Sequence, residues 1–204
     1  MIREKLTSEK LSKRIIVLSI LFIIIFFGVT ILSYFILPEG FLLNKNNTAD
    51  FNTSTNVFLS TIQIFAWNMI SVLAIIIGSL FSKRNNEKQN YLSLSYHVFF
   101  IVISMAAITL GTWSFTVTTE SVPLIDRIIS MFNITKRAGL IELYGTLLIT
   151  CSLSNKALVM TTKNKTVTRK IKDIKWNKNE IICAIIGFML MLIAAFVESK
   201  SIIG

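Results

Sequence analysis

The amino-acid sequence predicts an all-α membrane protein, a bundle of about five transmembrane helices that forms a single domain over residues 1–204. Three observations predict this fold class. First, 53% of the 204 residues are hydrophobic and only 16% are charged, whereas a soluble domain is about 25% charged. Second, five apolar stretches reach or approach the ~20 residues that a helix needs to cross a bilayer. Third, most basic residues lie between these stretches, in alternate connections.

The five apolar stretches define the predicted spans, at residues 15–37, 57–81, 98–117, 138–154 and 181–197. The first is longer than the apolar core of a secretory signal peptide, so we expect it to remain in the mature chain. Pro38 follows it directly and ends the helix, because proline lacks a backbone N–H and clashes with the preceding turn. The last two stretches are short, which predicts helices that are tilted, extended into the interface or packed within the bundle.

The basic residues predict how the chain is oriented. The N-terminal segment holds five of them, the second connection three and the fourth connection eight, which together are 16 of the 21 in the chain. With the N-terminus in the cytoplasm, five spans place all sixteen on the cytoplasmic side, as the positive-inside rule requires. The sequence therefore predicts a multi-pass protein of the bacterial cell membrane with its C-terminus outside. The net charge of +10 then indicates anionic lipid headgroups and not nucleic acid.

The fourth connection contains the densest run of basic residues and is a candidate binding segment. Its candidate lipid- or partner-binding residues are Lys163, Lys165, Arg169, Lys170, Lys172 and Lys175. Such a run attracts anionic lipids, docks a cytoplasmic partner with an acidic face, or remains an ordinary solvated loop. The sequence leaves these three alternatives open.

The third connection has a different pattern, with apolar residues at helical spacing over residues 120–136. Leu124, Ile128, Met131 and Phe132 recur on one side of a helix. The polar residues between them are Asp126, Arg127 and Ser130. This spacing predicts a short amphipathic helix at the outer interface of the membrane, or a helical extension of the next span.

Two polar residues interrupt the predicted spans and are candidate intramembrane sites. Glu142 is the only acidic residue inside a predicted span, and Thr146 follows it at one helical turn. Asn68 lies in the second span. Intramembrane ionisable groups are costly and normally face the bundle interior or a wet cavity. Glu142 is then either a packing residue or an ion relay, substrate contact or catalytic acid. As a packing residue we expect it close to Asn68, which would donate a hydrogen bond to it; where the two do not meet, Lys136, Arg137 or water must take that place.

Residues that usually carry catalysis or hold cofactors are sparse. His97 is the only histidine and lies at a span boundary, and Cys151 and Cys183 both lie inside apolar runs. The sequence has no His/Cys cluster with metal-ligand spacing, no serine–histidine–acid set and no glycine-rich phosphate loop. We therefore expect no enzyme activity, no metal and no cofactor.

Short motifs at the two polar positions resemble a known family. Residues 65–68 (Phe-Ala-Trp-Asn) match a Phe-x-x-Asn pattern in the second span, and residues 139–142 (Gly-Leu-Ile-Glu) match the last four positions of His-Gly-x-x-Glu. With five spans and a long basic fourth connection, the chain resembles the stage II sporulation protein M family of bacterial membrane proteins. It departs from the pattern at Ala138, where the family has histidine. The missing histidine removes a partner for proton chemistry at Glu142.

The resemblance implies a non-catalytic membrane subunit. Family members in bacteriocin clusters accompany peptide export, maturation or self-immunity, often beside an ATP-binding-cassette protein, whereas sporulation members anchor a peptidoglycan-remodelling complex. We expect the first context, with membrane lipids, other membrane subunits, an ATP-binding-cassette protein and a peptide as partners. A scaffold for peptidoglycan remodelling is the alternative. An intramembrane enzyme that uses Glu142 is the second alternative.

Overall fold

The computed structural model describes residues 2–43, 54–84, 90–115, 121–132, 138–163 and 165–203. The chain is mostly helical, and its described part contains seven α-helices and four short β-strands. In chain order the elements are α1 (Ile2–Leu6), α2 (Leu11–Ile36), α3 (Val57–Ser79), β1 (Phe81–Lys83), β2 (Leu92–Ser93), α4 (Ser95–Gly111), α5 (Leu124–Met131), α6 (Gly139–Leu153), β3 (Val159–Thr162), β4 (Lys165–Thr168) and α7 (Lys178–Ile203).

Three of the described helices are long and apolar enough to cross a membrane. These are α2, α3 and α7, with 26, 23 and 26 residues. Helices α4 and α6 are apolar but shorter, with 17 and 15 residues. Asparagine side chains cap two of the helix N-termini. The Asn56 side-chain oxygen accepts hydrogen bonds from backbone N–H groups in the first turn of α3, and that of Asn177 accepts one from the backbone N–H of Asn179 in α7. These three candidate spans are compatible with the predicted membrane protein, and the count of five spans remains a prediction.

The connections fold into a four-stranded sheet that the all-α prediction does not contain. The strand order is β2-β1-β3-β4, with β1 and β3 parallel and the other pairs antiparallel. Strand β1 follows α3 directly, β2 leads into α4, β3 follows α6 and β4 precedes α7. The sheet therefore gathers four helix ends at one end of the molecule, which we call the sheet end.

The N-terminal helix α1 is fastened to the same end. The Arg3 guanidinium donates to the backbone carbonyl of Lys83 in β1 at 2.9 Å, and the Tyr96 hydroxyl of α4 donates to the carbonyl of Leu6 at 2.8 Å. The Leu6 side chain is buried. The N-terminal segment, the α3–α4 connection and the α6–α7 connection thus form one assembly at the sheet end.

Helix α5 caps the opposite end of the molecule, which we call the α5 end. The prediction of a short helix within residues 120–136 is confirmed, and α5 and α6 are separate elements. The predicted apolar stripe is only partly buried, because Met131 is buried but Phe132 is exposed.

The Ser199 hydroxyl of α7 donates to the carbonyl of Val57 at 2.9 Å, so the end of α7 and the start of α3 meet.

The interior of the bundle is apolar, and so are the outward faces of the long helices. Phe26, Phe99 and Leu147 pack in one buried cluster between α2, α4 and α6. Large apolar side chains are also exposed along α2, α3 and α7, among them Ile16, Ile20, Ile24, Leu73, Ile77, Ile185 and Ile193. Contiguous apolar surface of this extent is rare on soluble monomers and is suited to lipid.

Candidate functional site

Glu142 lies in the first turn of α6, on the face that packs against α7. Gly145, one turn further on, is in close contact with Gly187 of α7. The Thr146 hydroxyl donates to the backbone carbonyl of Glu142 at 3.0 Å, and the Thr150 hydroxyl donates to that of Thr146 at 2.8 Å. Both threonine hydroxyls therefore form their hydrogen bonds within α6. The predicted polar side of this helix serves mainly to pack against neighbouring helices.

The expected hydrogen bond from Asn68 to Glu142 is absent. The Asn68 side-chain nitrogen is buried and has no hydrogen-bond partner among the described residues. Helix α6 turns the Gly145 face toward α7, and Glu142 lies on that face, where a charged Glu198 of α7 repels its carboxylate. This part of the structural interpretation of Glu142 is wrong. The basic residues Lys136 and Arg137, which we considered as other partners, lie outside the described residues.

Glu198 is a second carboxyl group near the α5 end, and it lies outside the predicted spans. The predicted last span stops at residue 197, whereas α7 continues to Ile203. The buried side of α7 carries Met191, Ala195 and Ser199 at successive steps of four residues, so its periodicity continues past the apolar run. That periodicity was the signal that could have placed Glu198 inside the helix.

A cluster of three charged side chains is buried at the sheet end. Glu180, in the first turn of α7, accepts a hydrogen bond from the Arg14 guanidinium at 2.6 Å and another from the Lys156 ammonium at 2.5 Å. The exposed fraction of the Arg14 side chain is 0%, and those of Glu180 and Lys156 are 6% each. We call this group the charge cluster. It joins the start of α2, the segment after α6 and the start of α7.

Further contacts fix the charge cluster within the sheet end. The Lys156 ammonium also donates to the Lys175 carbonyl at 2.7 Å and lies 5.0 Å from the centre of the Trp176 ring. The backbone N–H of Asn177 donates to the Glu180 carboxylate at 3.2 Å. A carboxylate enclosed in this way by two cations and a backbone donor is suited to holding segments together, not to attacking a substrate.

In the sequence, Arg14 and Lys156 stand out only as two of the basic residues that orient the chain. The signal for a structural role was Glu180, a carboxylate directly before an apolar run in a strongly basic connection. Its acidic neighbour in that connection, Asp173, is exposed and accepts a hydrogen bond from the backbone N–H of Lys170. Glu180 is buried and Asp173 is exposed, and the amino-acid composition of the connection does not predict this difference.

A second buried arginine holds α5 in place. Arg127 donates to the backbone carbonyl of Gly111 at the end of α4 and forms an ion pair of 2.8 Å with Glu39, just after α2. Its guanidinium also lies 4.8 Å from the centre of the Tyr34 ring. A cation at the C-terminus of a helix satisfies a free carbonyl and interacts favourably with the helix dipole. Arg127 was expected on the polar side of an amphipathic helix, and it faces the bundle instead.

The six candidate basic residues of the fourth connection are all exposed. They occur on the hairpin between β3 and β4, on β4 itself and on the segment that leads to α7, and they are Lys163, Lys165, Arg169, Lys170, Lys172 and Lys175. Exposed apolar side chains are interleaved with them, notably Ile171 and Trp176. Exposure on a folded strand and turn makes this segment an available surface and not a disordered loop.

Cys151 and Cys183 are buried and unbonded to each other. Within the described residues, no group of three or more His, Cys, Asp or Glu side chains could hold a metal ion.

No protein-family model, curated protein or solved structure matches the chain. The resemblance to the stage II sporulation protein M family therefore rests on the motifs at residues 65–68 and 139–142 and on the pattern of spans and basic connections. A Cβ atom added at Gly139 would meet nothing within 4 Å, so packing does not require this motif glycine. At Gly78 it would lie 3.1 Å from the Val98 side chain, so that glycine does permit close approach of α3 and α4.

Proposed function

We propose that this chain is a five-span membrane protein with a cytoplasmic N-terminus, and that it serves as a non-catalytic subunit of a bacterial peptide export, maturation or self-immunity machinery. The observation that carries the topology is the charge distribution between the two ends. The three segments that meet at the sheet end contain 16 of the 21 basic residues of the chain. A cytoplasmic sheet end follows from the positive-inside rule.

The lengths of α4 and α6 are compatible with five spans. At 1.5 Å per residue these helices measure about 26 and 23 Å, against about 30 Å for the hydrocarbon core. Nine of the 15 residues of α6 are buried, so this helix is surrounded mainly by protein. A helix enclosed by its neighbours does not have to match the thickness of the lipid, because its polar ends are covered by protein.

The contacts and exposure of the charged residues support the subunit role. The charge cluster and Arg127 hold chain segments together, and the remaining basic residues of the fourth connection form an exposed surface. The peptide-handling context comes from the family resemblance. The intramembrane-enzyme alternative is favoured by one observation, the electrostatic interaction between the Glu142 and Glu198 carboxyl groups.

Labelling of single cysteines tests the topology. In a chain with Cys151 and Cys183 replaced by alanine, Ser121→Cys at the α5 end should react with an impermeant maleimide on intact cells. Lys165→Cys at the sheet end should react only after the membrane is opened. Both positions are exposed, so access depends on the side of the membrane alone. Reaction of both cysteines on intact cells would contradict five alternating spans.

Co-purification from mild detergent tests the subunit role. We expect the wild-type chain to recover an ATP-binding-cassette protein, identified by mass spectrometry, and Glu142→Gln to recover it equally well. Glutamine keeps the size and hydrogen-bonding capacity of the side chain and removes the repulsion with Glu198. Glu142→Leu is expected to reduce recovery, because it removes the polar side chain from the interface of α6 and α7.

Two results would change the assignment. Recovery of a cell-wall hydrolase in place of the ATP-binding-cassette protein would support the peptidoglycan scaffold. If Glu142→Gln recovers every partner but abolishes the cellular phenotype of the gene, the carboxyl group performs proton chemistry, and the enzyme alternative is correct.

A further inference from the structure

The basic surface of the fourth connection has two parts at different distances from the helix ends. The backbone N–H groups of Leu158 and Val159 donate to the carbonyl of Leu80, the residue after α3, at 2.8 and 2.9 Å. Strand β3 therefore begins level with the end of α3. Arg169, just after β4, donates to the Leu158 carbonyl at 2.8 Å, so β4 returns to the same level.

The hairpin between β3 and β4 extends away from that level. Val159 pairs with Thr168 at its base, and Thr162 pairs with Lys165 at its tip. Four strand residues at about 3.3 Å each carry the tip some 13 Å along the strand from the helix ends. The tip carries Lys163 and Lys165, which are both exposed.

The segment 169–178 stays close to the helix ends. Its Lys175 carbonyl accepts a hydrogen bond from Lys156, three residues after α6, and the segment runs directly into α7. We call it the proximal segment. Its exposed basic residues are Arg169, Lys170, Lys172, Lys175 and Lys178.

The proximal segment also exposes large apolar side chains. Ile171 is 76% exposed and Trp176 is 50% exposed. Tryptophan is enriched where protein meets the headgroup region, because its ring is apolar and its N–H is polar. Lysine likewise lays its aliphatic stem on apolar surface while its ammonium reaches a charged group. Apolar and basic side chains alternating beside the ends of membrane helices fit the headgroup boundary of a bilayer.

We propose that the proximal segment binds anionic phospholipid headgroups of the adjacent leaflet, and that the hairpin tip does not. The inference rests on the proposed membrane topology only in that the helix ends lie at a bilayer surface. Charge complementarity selects anionic lipid, and exposed Ile171 and Trp176 select a lipid surface over solvent. The attraction decays within a Debye length of about 8–10 Å, whereas the tip lies some 13 Å along the strand from the helix ends.

Quenching of Trp176 fluorescence tests the proposal on the full-length chain in nanodiscs. Trp67→Phe and Trp113→Phe leave Trp176 as the remaining tryptophan of three. Brominated phosphatidylglycerol is added to phosphatidylcholine, and the mole fraction that gives half-maximal quenching is measured. Each lysine near the surface strengthens association about fivefold. Lys170→Gln with Lys172→Gln should therefore raise that mole fraction by up to about 25-fold.

The matched control removes two charges from the tip, with Lys163→Gln and Lys165→Gln. It should change the mole fraction less than twofold, and circular dichroism should show that both variants remain folded. Equal shifts in the two variants, no shift in either, or equal quenching by brominated phosphatidylcholine would overturn the proposal. Nanodiscs expose both leaflets, so these outcomes do not depend on orientation. A failure here leaves the cysteine-labelling result intact, and the reverse also holds.

Discussion

Glu180→Ala is expected to destabilise the protein by about 3–5 kcal/mol. The substitution leaves two cations, Arg14 and Lys156, buried without their carboxylate. An uncompensated buried charge is far more costly than a missing surface ion pair, because neither water nor a counter-ion can reach it. A loss of this size should lower the melting temperature in mild detergent by roughly 10 °C. Intrinsic fluorescence during heating provides the measurement.

Two further variants separate charge compensation from the loss of a side chain. Glu9→Ala removes an exposed carboxylate at the same end of the molecule and should change stability by less than about 0.5 kcal/mol. Replacing Arg14, Lys156 and Glu180 together by methionine should restore much of the loss, since apolar side chains of similar volume often substitute for buried ion pairs without cost. If Glu180→Ala melts with the wild-type chain, the charge cluster does not hold the sheet end together.

The long helices could be predicted from the sequence because burial in lipid requires a continuous apolar run. Even there, the run and the helix do not always coincide. The third span was predicted over residues 98–117, whereas α4 ends at Gly111. The chain turns at Trp113, which has a positive φ of 51°, although Phe115 and Val117 continue the apolar stretch of the sequence beyond it. A hydropathy pattern records composition and does not register a change of backbone direction.

The sheet could not be predicted, because its strands are too short to show alternation. Strand β2 has two residues and β4 has four, and all four residues of β4 are exposed. Their pairing depends on where α3 and α6 end, through the hydrogen bonds of Leu158 and Val159 to Leu80. Tertiary placement decides this element, and local propensity does not.

Some candidate residues could be identified from the sequence, and others required the fold. Glu142 and Asn68 stand out in a sequence because polar groups are rare in spans. Arg14 and Arg127 do not stand out, because a count of basic residues treats every arginine as a surface charge. Both are almost fully buried, at 0% and 2% exposure, and each binds a carboxylate from a distant part of the chain. Long-range pairing of this kind requires the fold.

Gly145→Val is expected to disrupt the packing of α6 against α7, the most extensive helix contact in the molecule. A Cβ atom at Gly145 would lie 2.7 Å from the carbonyl oxygen of Gly187 and 2.9 Å from the Met191 side chain. A Cβ atom at Gly187 would lie 2.7 Å from the carbonyl oxygen of Gly145. The two backbones are therefore in contact, as small residues allow in membrane helix pairs. We expect a loss of at least about 3 kcal/mol, beyond ordinary overpacking.

Gly28→Ala is the matched control for this effect. Gly28 lies within α2, and a Cβ atom there would meet nothing within 4 Å. Alanine favours a helix over glycine by about 1 kcal/mol, so Gly28→Ala should be neutral or stabilising. Gly145→Ala gains the same propensity and still meets the Gly187 carbonyl, so the difference between the two alanine variants isolates the steric cost. A Gly145→Ala chain that melts at or above the temperature of Gly28→Ala would show that α6 and α7 do not require backbone contact at this crossing.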